Sequence, residues 1–398
     1  MATIAPFRGV RFAGGGDLSK LLAPPYDVIS ESEHRAYSAA HPHNIINLTL
    51  GAPGGKKRDY GAIGNRLRRW IRERVLVQEP EKCFYAYCQE WSLEGHRIKF
   101  WGLLGLLKLE KFGRGSVYPH EKVNPGPVDD RLRVMESTRA NLEPIMALYR
   151  QASDPMNLLY ASMEGLAPVM SAALSNGTRH RIWKLPLRQT CVRIQRMARR
   201  LPFFIADGHH RYNSGWLFHQ RHRRLDGAAW IMTLIGNVEQ KGLRIMPINR
   251  VITTANPVKA DLIRSMERFG RVERIGRKMP QILFRLPRNT LGFYGRRVGS
   301  WLLHLPPLPA NTEPRTTLEV VRLHEILPQV LEIRELAYTK KAAEDMGQAT
   351  RNPRVLAGFL PAPSPQTVCA VAFSNELLPQ KSTFFLPKPQ SGLVLRLI

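Results

Sequence analysis

Residues 201–218 read LPFFIADGHHRYNSGWLF: an apolar run that stops at Asp207-Gly208-His209-His210-Arg211 and resumes with helical spacing. The pattern predicts a strand, a tight turn and a helix. A glycine in such a turn lets the backbone approach a ligand closely, and the helix behind it offers unpaired N–H groups and a partial positive charge. That arrangement suits a phosphate. His209, His210 and Arg211 would add donors, and Asp207 could hold a cation or act as a base. The same turn also occurs as plain structure, with paired histidines that cap a helix or lie in solvent. What favours function is the concentration of polar chemistry directly after an apolar strand, where ligands of open α/β sheets bind.

Other polar clusters carry the same two-sided reading. Residues 118–131, YPHEKVNPGPVDDR, are rich in proline and glycine and are expected to be irregular, yet they hold His120, Glu121, Asp129, Asp130 and Arg131. A polar loop between ordered elements is a common place for function. Asp129-Asp130-Arg131 would either cap the next helix or, through carboxylate oxygen, orient a base or bind Mg²⁺. In APPYD, Tyr26 and Asp27 follow two prolines that stiffen the chain, either for packing or to present them to a substrate. Lys381-Ser382-Thr383 offers an ammonium and two hydroxyls for a phosphate or substrate, or a lysine-protected strand edge; Lys388 carries the same ambiguity.

The elements that must position these residues alternate along the chain. A helix is expected over 30–40, with Ser30 and Glu33 spaced as a capping box, and a basic helix whose Ile63, Leu67, Trp70 and Ile71 form its apolar stripe. Loops are expected at Gly14-Gly15-Gly16 and over 51–57. Segments 83–91 and 97–109, joined through Ser-Leu-Glu-Gly-His, read as an antiparallel hairpin. Further strands are expected over 144–149, 179–185, 228–236, 290–294 and 300–305. Helices are expected over 154–175, 192–200, 257–269, 318–327 and 365–373. Interspersed strands and helices predict an α/β or α+β architecture, mixed sheets with flanking helices. Two regions are expected, 1–150 contributing pocket loops and 151–398 carrying the Gly-His-His-Arg and Lys-Ser-Thr segments, or else one integrated unit.

Composition bounds the function. The 398 residues are 43% hydrophobic and 23% charged, as in an ordinary globular protein. The N-terminus lacks a basic segment followed by an apolar core, no apolar run reaches membrane-spanning length, and the cytoplasm is the expected compartment. Cys83, Cys88, Cys191 and Cys369 lack paired metal-ligand spacing. There is no P-loop, no dinucleotide-binding glycine fingerprint, no His-Glu-x-x-His helix and no nucleophile elbow. The 59 Lys and Arg against 32 Asp and Glu give a net charge of +27, so nucleic acid is a candidate partner. The basic residues concentrate at Lys56, Lys57, Arg58, Arg66, Arg68, Arg69, Arg72 and Arg74, and again at Arg193, Arg196, Arg199 and Arg200. A solvated helix face explains the first group better than a dedicated nucleic-acid groove, since no recognised binding module accompanies it.

Taken in order, the segments PFRGVRF, LLAPPYDVIS, HPHNIINL, YPHEKVNPGPVDDR, NLEPIMALY, RHRIWKL, IADGHHRYNSGWLF, GLRIMPINR and LPQKSTFFLPKPQSGLV span almost the whole chain. The chain resembles the family called domain of unknown function 1015, which is similar, through Gly-His-His-Arg, to ParB/sulfiredoxin-like nucleotide-binding proteins and to a free-serine kinase. The resemblance implies a ParB/sulfiredoxin-like core in which Gly208, His209, His210 and Arg211 cradle the phosphates of ATP or ADP. It also implies phosphoryl transfer to a small hydroxylated metabolite such as serine, with Mg²⁺ and Arg211 stabilising the charge. Glu121 is then the first candidate for the base and His120 its neighbour in the catalytic set. Asp207 would be a metal or hydroxyl contact and Asp130 a second metal ligand. Tyr26, Asp27, Arg131, Arg250, Lys381, Ser382 and Thr383 would bind substrate. Two departures stand out: Asn213 where a Glu is expected after Gly-His-His-Arg-Tyr, and Asn249 where a His is expected before Arg250. Asn cannot take up a proton or give a metal a full negative charge, so this chain could bind a nucleotide as a regulator without turning it over.

Overall fold

The computed structural model describes residues 1–14, 18–54, 58–93, 95–185, 188–276 and 281–398. Gly15, Gly16, Lys56, Lys57 and Glu94, which belong to the expected loops and hairpin connection, lie outside the described residues. The chain forms two compact units. The first contains Met1–Pro119, Val123–Leu243 and Pro387–Ile398, the second His120–Lys122 and Arg244–Leu386. The division therefore falls away from residue 150. Eleven α-helices accompany mixed and antiparallel sheets among the described residues, an α/β to α+β architecture.

The first unit is built on a nine-stranded sheet. Its spatial order is Val117–Tyr118, Phe203–Asp207, Ile145–Tyr149, Trp230–Asn237, His96–Lys108, Phe84–Leu93, Arg179–Leu185 and Met170–Ala173, with Ile4–Ala5 also pairing on His96–Lys108. The sheet is mixed: Val117–Tyr118 runs parallel to Phe203–Asp207 and Ile145–Tyr149 parallel to Trp230–Asn237, whereas Phe203–Asp207 and Ile145–Tyr149 are antiparallel. Ile145–Tyr149 and Phe203–Asp207 are buried at all five positions each, so they read as unbroken apolar runs rather than alternating ones. The expected hairpin is present, closing at Leu93 opposite His96. The capping box is present as well, with Ser30 accepting from the Glu33 amide and Glu33 from the Ser30 amide.

Two expectations for this unit are corrected. Residues 118–131 are only partly irregular, because a helix, Pro125–Thr138, begins inside them. Proline at the first helical position loses an N–H that had no partner anyway. The helix expected over 154–175 ends at Glu164; Gly165 stops it, Pro168 cannot continue it, and the chain enters the strand Met170–Ala173.

The second unit carries a six-stranded antiparallel sheet in the order Arg271–Gly276, Gly299–His304, Thr290–Gly295, Val355–Phe359, Asn249–Thr254, Ile333–Thr339. The strands Arg244–Met246 and Phe384–Leu386 form a separate ribbon. Val251, Leu302, Met346, Ala349 and Phe359 make its core. Among the described residues, no helix is long and apolar enough to cross a membrane.

Candidate functional site

In the first unit the apolar run ends as a strand at Asp207, Gly208 turns the chain with φ +90°, and the helix His209–Arg221 follows. An L-residue resists that φ, and a Cβ at Gly208 would also come within 2.9 Å of Ile145 Cγ2, so glycine is required twice over. The pairing with Ile145–Tyr149 shifts register between Ile205 and Asp207. Such a bulge re-aims the side chain that follows it. No side-chain cap bond is made at Gly208 and the first turn of the helix holds no acid; the Asp207 carboxylate stands one residue before the cap.

Asp207 is buried, 5% exposed, and both carboxylate oxygens have cationic partners: Arg211 Nη2 donates to Oδ2 at 2.5 Å and Lys388 Nζ donates to Oδ1. Burial pushes the carboxyl up, but the Lys388 and Arg211 charges outweigh it and hold the pKa well below the usual carboxylate range. A carboxylate so held is a poor proton acceptor, which corrects the expectation of Asp207 as base. Arg211 folds back as well. Its Nη1 donates to the Pro144 carbonyl at 2.5 Å, and its Nε is buried without a hydrogen-bond partner. The guanidinium faces a cavity of about 40 Å³ lined in part by Glu143 and Arg131. That volume holds a few waters, not a nucleotide, so Arg211 acts on the turn through Asp207. His210 Nε2 accepts from the Asn124 amide at 3.2 Å, and His209 lies buried beside Asp207.

Tyr26 and Asp27 sit in a short 3₁₀ turn, Tyr26–Val28, and Asp27 is exposed. The Tyr26 ring lies under the Arg131 guanidinium, 4.0 Å from its centroid, and its backbone N–H donates to Glu143 Oε1 at 3.0 Å. Burial drives the Tyr26 phenol well above its ordinary pKa. Glu143 also accepts from Ser391 Oγ at 2.7 Å. This buried glutamate ties the Tyr26 turn to the strand beside Asp207. Its only signal in the sequence was its place in NLEPIMALY.

Asp130 and Arg131 lie on the helix Pro125–Thr138. Asp130 Oδ1 accepts from Arg58 and from Tyr60 at 2.9 Å, and Oδ2 accepts from Arg131 Nε and Nη2 at 2.8 and 2.5 Å. Arg131 Nη1 donates to the Thr49 carbonyl at 2.8 Å. The implied Mg²⁺ needs oxygen ligands not already matched to cations. Asp207 and Asp130 both have their counterions, and among the described residues no group of three or more His, Cys, Asp or Glu side chains gathers to hold a metal. The donor set does not fit a metal held by Asp207 and Asp130.

In the second unit Glu121 and the Lys-Ser-Thr segment, read separately in the sequence, form one hydrogen-bonded cluster. Lys381 has φ 54°, a left-handed turn that points the next two amides the same way. Ser382 N and Thr383 N donate to Glu121 Oε1 at 3.1 and 3.0 Å, and Thr383 Oγ1 donates to the same oxygen at 2.9 Å. Two backbone amides and the Thr383 hydroxyl, one of the two hydroxyls expected to meet a phosphate or substrate, thus hold a carboxylate. His120 is fully buried, with Nε2 2.7 Å from Thr383 Oγ1. Because the threonine proton goes to Glu121, His120 Nε2 must be the protonated nitrogen. Glu121 Oε2 makes no hydrogen bond among the described residues, which leaves one oxygen able to receive a proton.

Arg250 stands apart from the substrate role expected of it. It is fully buried, donates from Nη1 to the Ile248 carbonyl at 2.7 Å and from Nε to His324 Nε2 at 3.2 Å, and packs on the Tyr338 ring. Burial holds His324 down to about 4, so its ring is the neutral acceptor that Arg250 needs. Asn249 Nδ2 contacts Asp345 Oδ2 at 3.3 Å. Asn213 Nδ2 donates to the His209 carbonyl at 2.9 Å, a bond within its own helix that a glutamate could not make.

Comparison with known proteins adds the following. No curated protein matches the chain. Among solved structures it is similar to SbnI with C-terminal truncation from Staphylococcus aureus, at 11% identity over 71% of this chain and 82% of that one, TM-score 0.39. It is also similar to a conserved hypothetical protein from Pyrococcus furiosus, at 13% identity over 69% and 90%, TM-score 0.35. A free serine kinase in complex with AMP is similar at 13% identity over 72% and 97%, TM-score 0.36. Likenesses of this size carry no argument about activity. The model of the family described as "Protein of unknown function (DUF1015)" matches residues 4–323, most of the chain, and the protein belongs to that family.

Proposed function

We propose that the protein binds the phosphates of a nucleotide, ATP or ADP, at the turn from Asp207 to Arg211. We further propose that it transfers a phosphoryl group to the hydroxyl of a small metabolite such as serine. The observation that supports this most is the helix start at Gly208: no side chain caps it and no acid stands in its first turn, while Lys388, His209 and His210 surround it. Lys388, Asp207 and Arg211 form a fixed charged frame under that turn, which suits a preorganised anion site. In the transfer step the metabolite oxygen bonds to phosphorus as the bond to the leaving phosphate breaks. The nucleotide departs with that electron pair, and the hydroxyl proton passes to a carboxylate base, the role that the family resemblance gives to Glu121. The ParB/sulfiredoxin-like kinship of Gly-His-His-Arg belongs to this proposal.

The test is calorimetry with ATP and ADP, followed by product analysis with serine and each nucleotide. Binding with formation of phosphoserine is the expected result. A second reading, a nucleotide-binding regulator without turnover, is favoured by Asn213, whose amide is spent on the His209 carbonyl. Nucleotide binding with no phosphoserine from either nucleotide would select the regulator. Absence of binding would remove both readings.

A further inference from the structure

The two concentrations of arginine in the sequence have different fates in the first unit. On the helix Tyr60–Arg72, Arg66 donates to the Asn47 carbonyl, Arg68 to the Ser137 carbonyl and to Asn65, and the preceding Arg58 is paired with Asp130. These three side chains serve internal contacts, whereas Arg69, Arg72 and Arg74 are exposed. On the helix Arg188–Ala198 and the turn after it, Arg193, Arg196 and Arg200 make no side-chain hydrogen bond or ion pair among the described residues, and all three are exposed. They line one groove of about 330 Å³, together with Gln151, Pro155, Met197 and Leu201.

Their placement follows from helical spacing. Positions 193, 196 and 197 share one face of the helix, and the turn after it brings Arg200 to the same groove, whereas Cys191, Ile194 and Ala198 on another face are 8%, 3% and 0% exposed and anchor the helix in the core. Three exposed guanidinium groups around one groove raise the local positive potential, which favours an anionic partner. Arg193 and Arg196 lie three residues apart, about 4.5 Å of helix rise, and Arg200 follows two residues past the helix end at Ala198. Guanidinium forks match phosphate oxygens. The lining holds no aromatic ring on which a base could stack and no carboxylate to read a base edge; Gln151, whose Oε1 lacks a hydrogen-bond partner, is its one polar neutral side chain.

We propose that this groove binds the phosphodiester backbone of a nucleic acid without sequence preference, at a site separate from the Asp207–Arg211 turn. The net charge of +27 supplies the long-range attraction, and the groove supplies the contact.

The test is fluorescence anisotropy of the full chain with a short labelled single-stranded RNA of mixed sequence, across a salt series. Three phosphate contacts predict that the triple variant R193E/R196E/R200E lowers the log–log salt slope by about 2, which is about a 15-fold loss of affinity range between about 50 and 200 mM salt. The variant R69E/R72E/R74E makes the same charge change on the other basic helix and is expected to leave the slope nearly unaltered. Equal losses in the two triple variants would overturn the site and leave only a general charge effect. So would undetectable binding at the lowest salt. Displacement of the RNA by inorganic tripolyphosphate or by polyglutamate at equal charge would overturn the nucleic-acid assignment in favour of a free polyphosphate or an acidic protein segment. Nucleotide binding by R193E/R196E/R200E, expected unchanged, keeps this test distinct from the one above.

Discussion

Asp207 in the first unit and Glu121 in the second are both carboxylates at the edge of a phosphate-like setting, and their surroundings give them opposite capacities. Asp207 is matched by two full positive charges, Lys388 and Arg211, and its proton affinity is pushed down. Glu121 is matched by two amides and a hydroxyl, all neutral and all on one oxygen. The first is a fixed negative charge that organises cations; the second keeps an oxygen free for a proton. Residue type alone therefore does not fix a carboxylate's setting: Asp207 is hydrogen-bonded by cations, Glu121 by neutral donors.

The comparison breaks most sharply at Glu121. Glu121→Gln keeps an acceptor oxygen for the Ser382 and Thr383 amides but removes the proton acceptor. Phosphoserine formation is expected to fall about 10²- to 10⁴-fold while nucleotide affinity measured by calorimetry stays within twofold of wild type, about 0.4 kcal/mol. A variant that turns over normally would move the base elsewhere. Asp207→Asn should act on stability first. It strands the buried Arg211 and Lys388 charges, and urea melts are expected to lose about 3–5 kcal/mol. An unaltered melt would show that the charged frame is dispensable.

Acid titration sharpens the contrast further. Burial holds His180 in the first unit and His324 in the second at about 4, below their ordinary value. Both favour the neutral form in the fold, so their stability contribution is complete above about pH 6.5 and is lost as pH falls from there towards 4. The Asp207 contribution is complete above the ordinary carboxylate value of about 3.9 and is lost only as pH falls below it, through its depressed folded value. Melts of wild type and His324→Gln between pH 7 and about 4.5 are expected to converge as pH falls; parallel curves would contradict the neutral His324. The smallest effect belongs to Thr383→Val. It removes one of three donors to Glu121 and the contact to His120, and turnover is expected to drop about tenfold, near 1.4 kcal/mol, without loss of nucleotide binding.

The strand, turn and helix of residues 203–221 were legible because every determinant is local: apolar run, glycine, helical spacing. So was the hairpin over 84–108. What the sequence hid was pairing over distance. Asp207 and Lys388 are 181 positions apart, and Glu121 meets Ser382 and Thr383 across 261 and 262. Nothing in YPHEK or QKSTF announces that one segment's acid occupies the other's amides. The helix at Pro125 was hidden by composition, since proline and glycine suggest a loop even where proline merely starts a helix. In the second unit, strand Ile333–Thr339 lacks the alternation that marks a half-buried strand, because none of its seven residues is fully buried.

The strand Leu395–Leu397 lies between Gly9–Phe12 and Ala140–Asn141, and Lys388 shortly before it completes the Asp207 pair. During synthesis the first unit's four-stranded sheet therefore stays open, and Asp207 lacks one cation, until the whole second unit has been made. Folding of the first unit is consequently tied to the slow closure of a very long loop, and an incompletely made chain exposes two unpaired strand edges to chaperones and proteases.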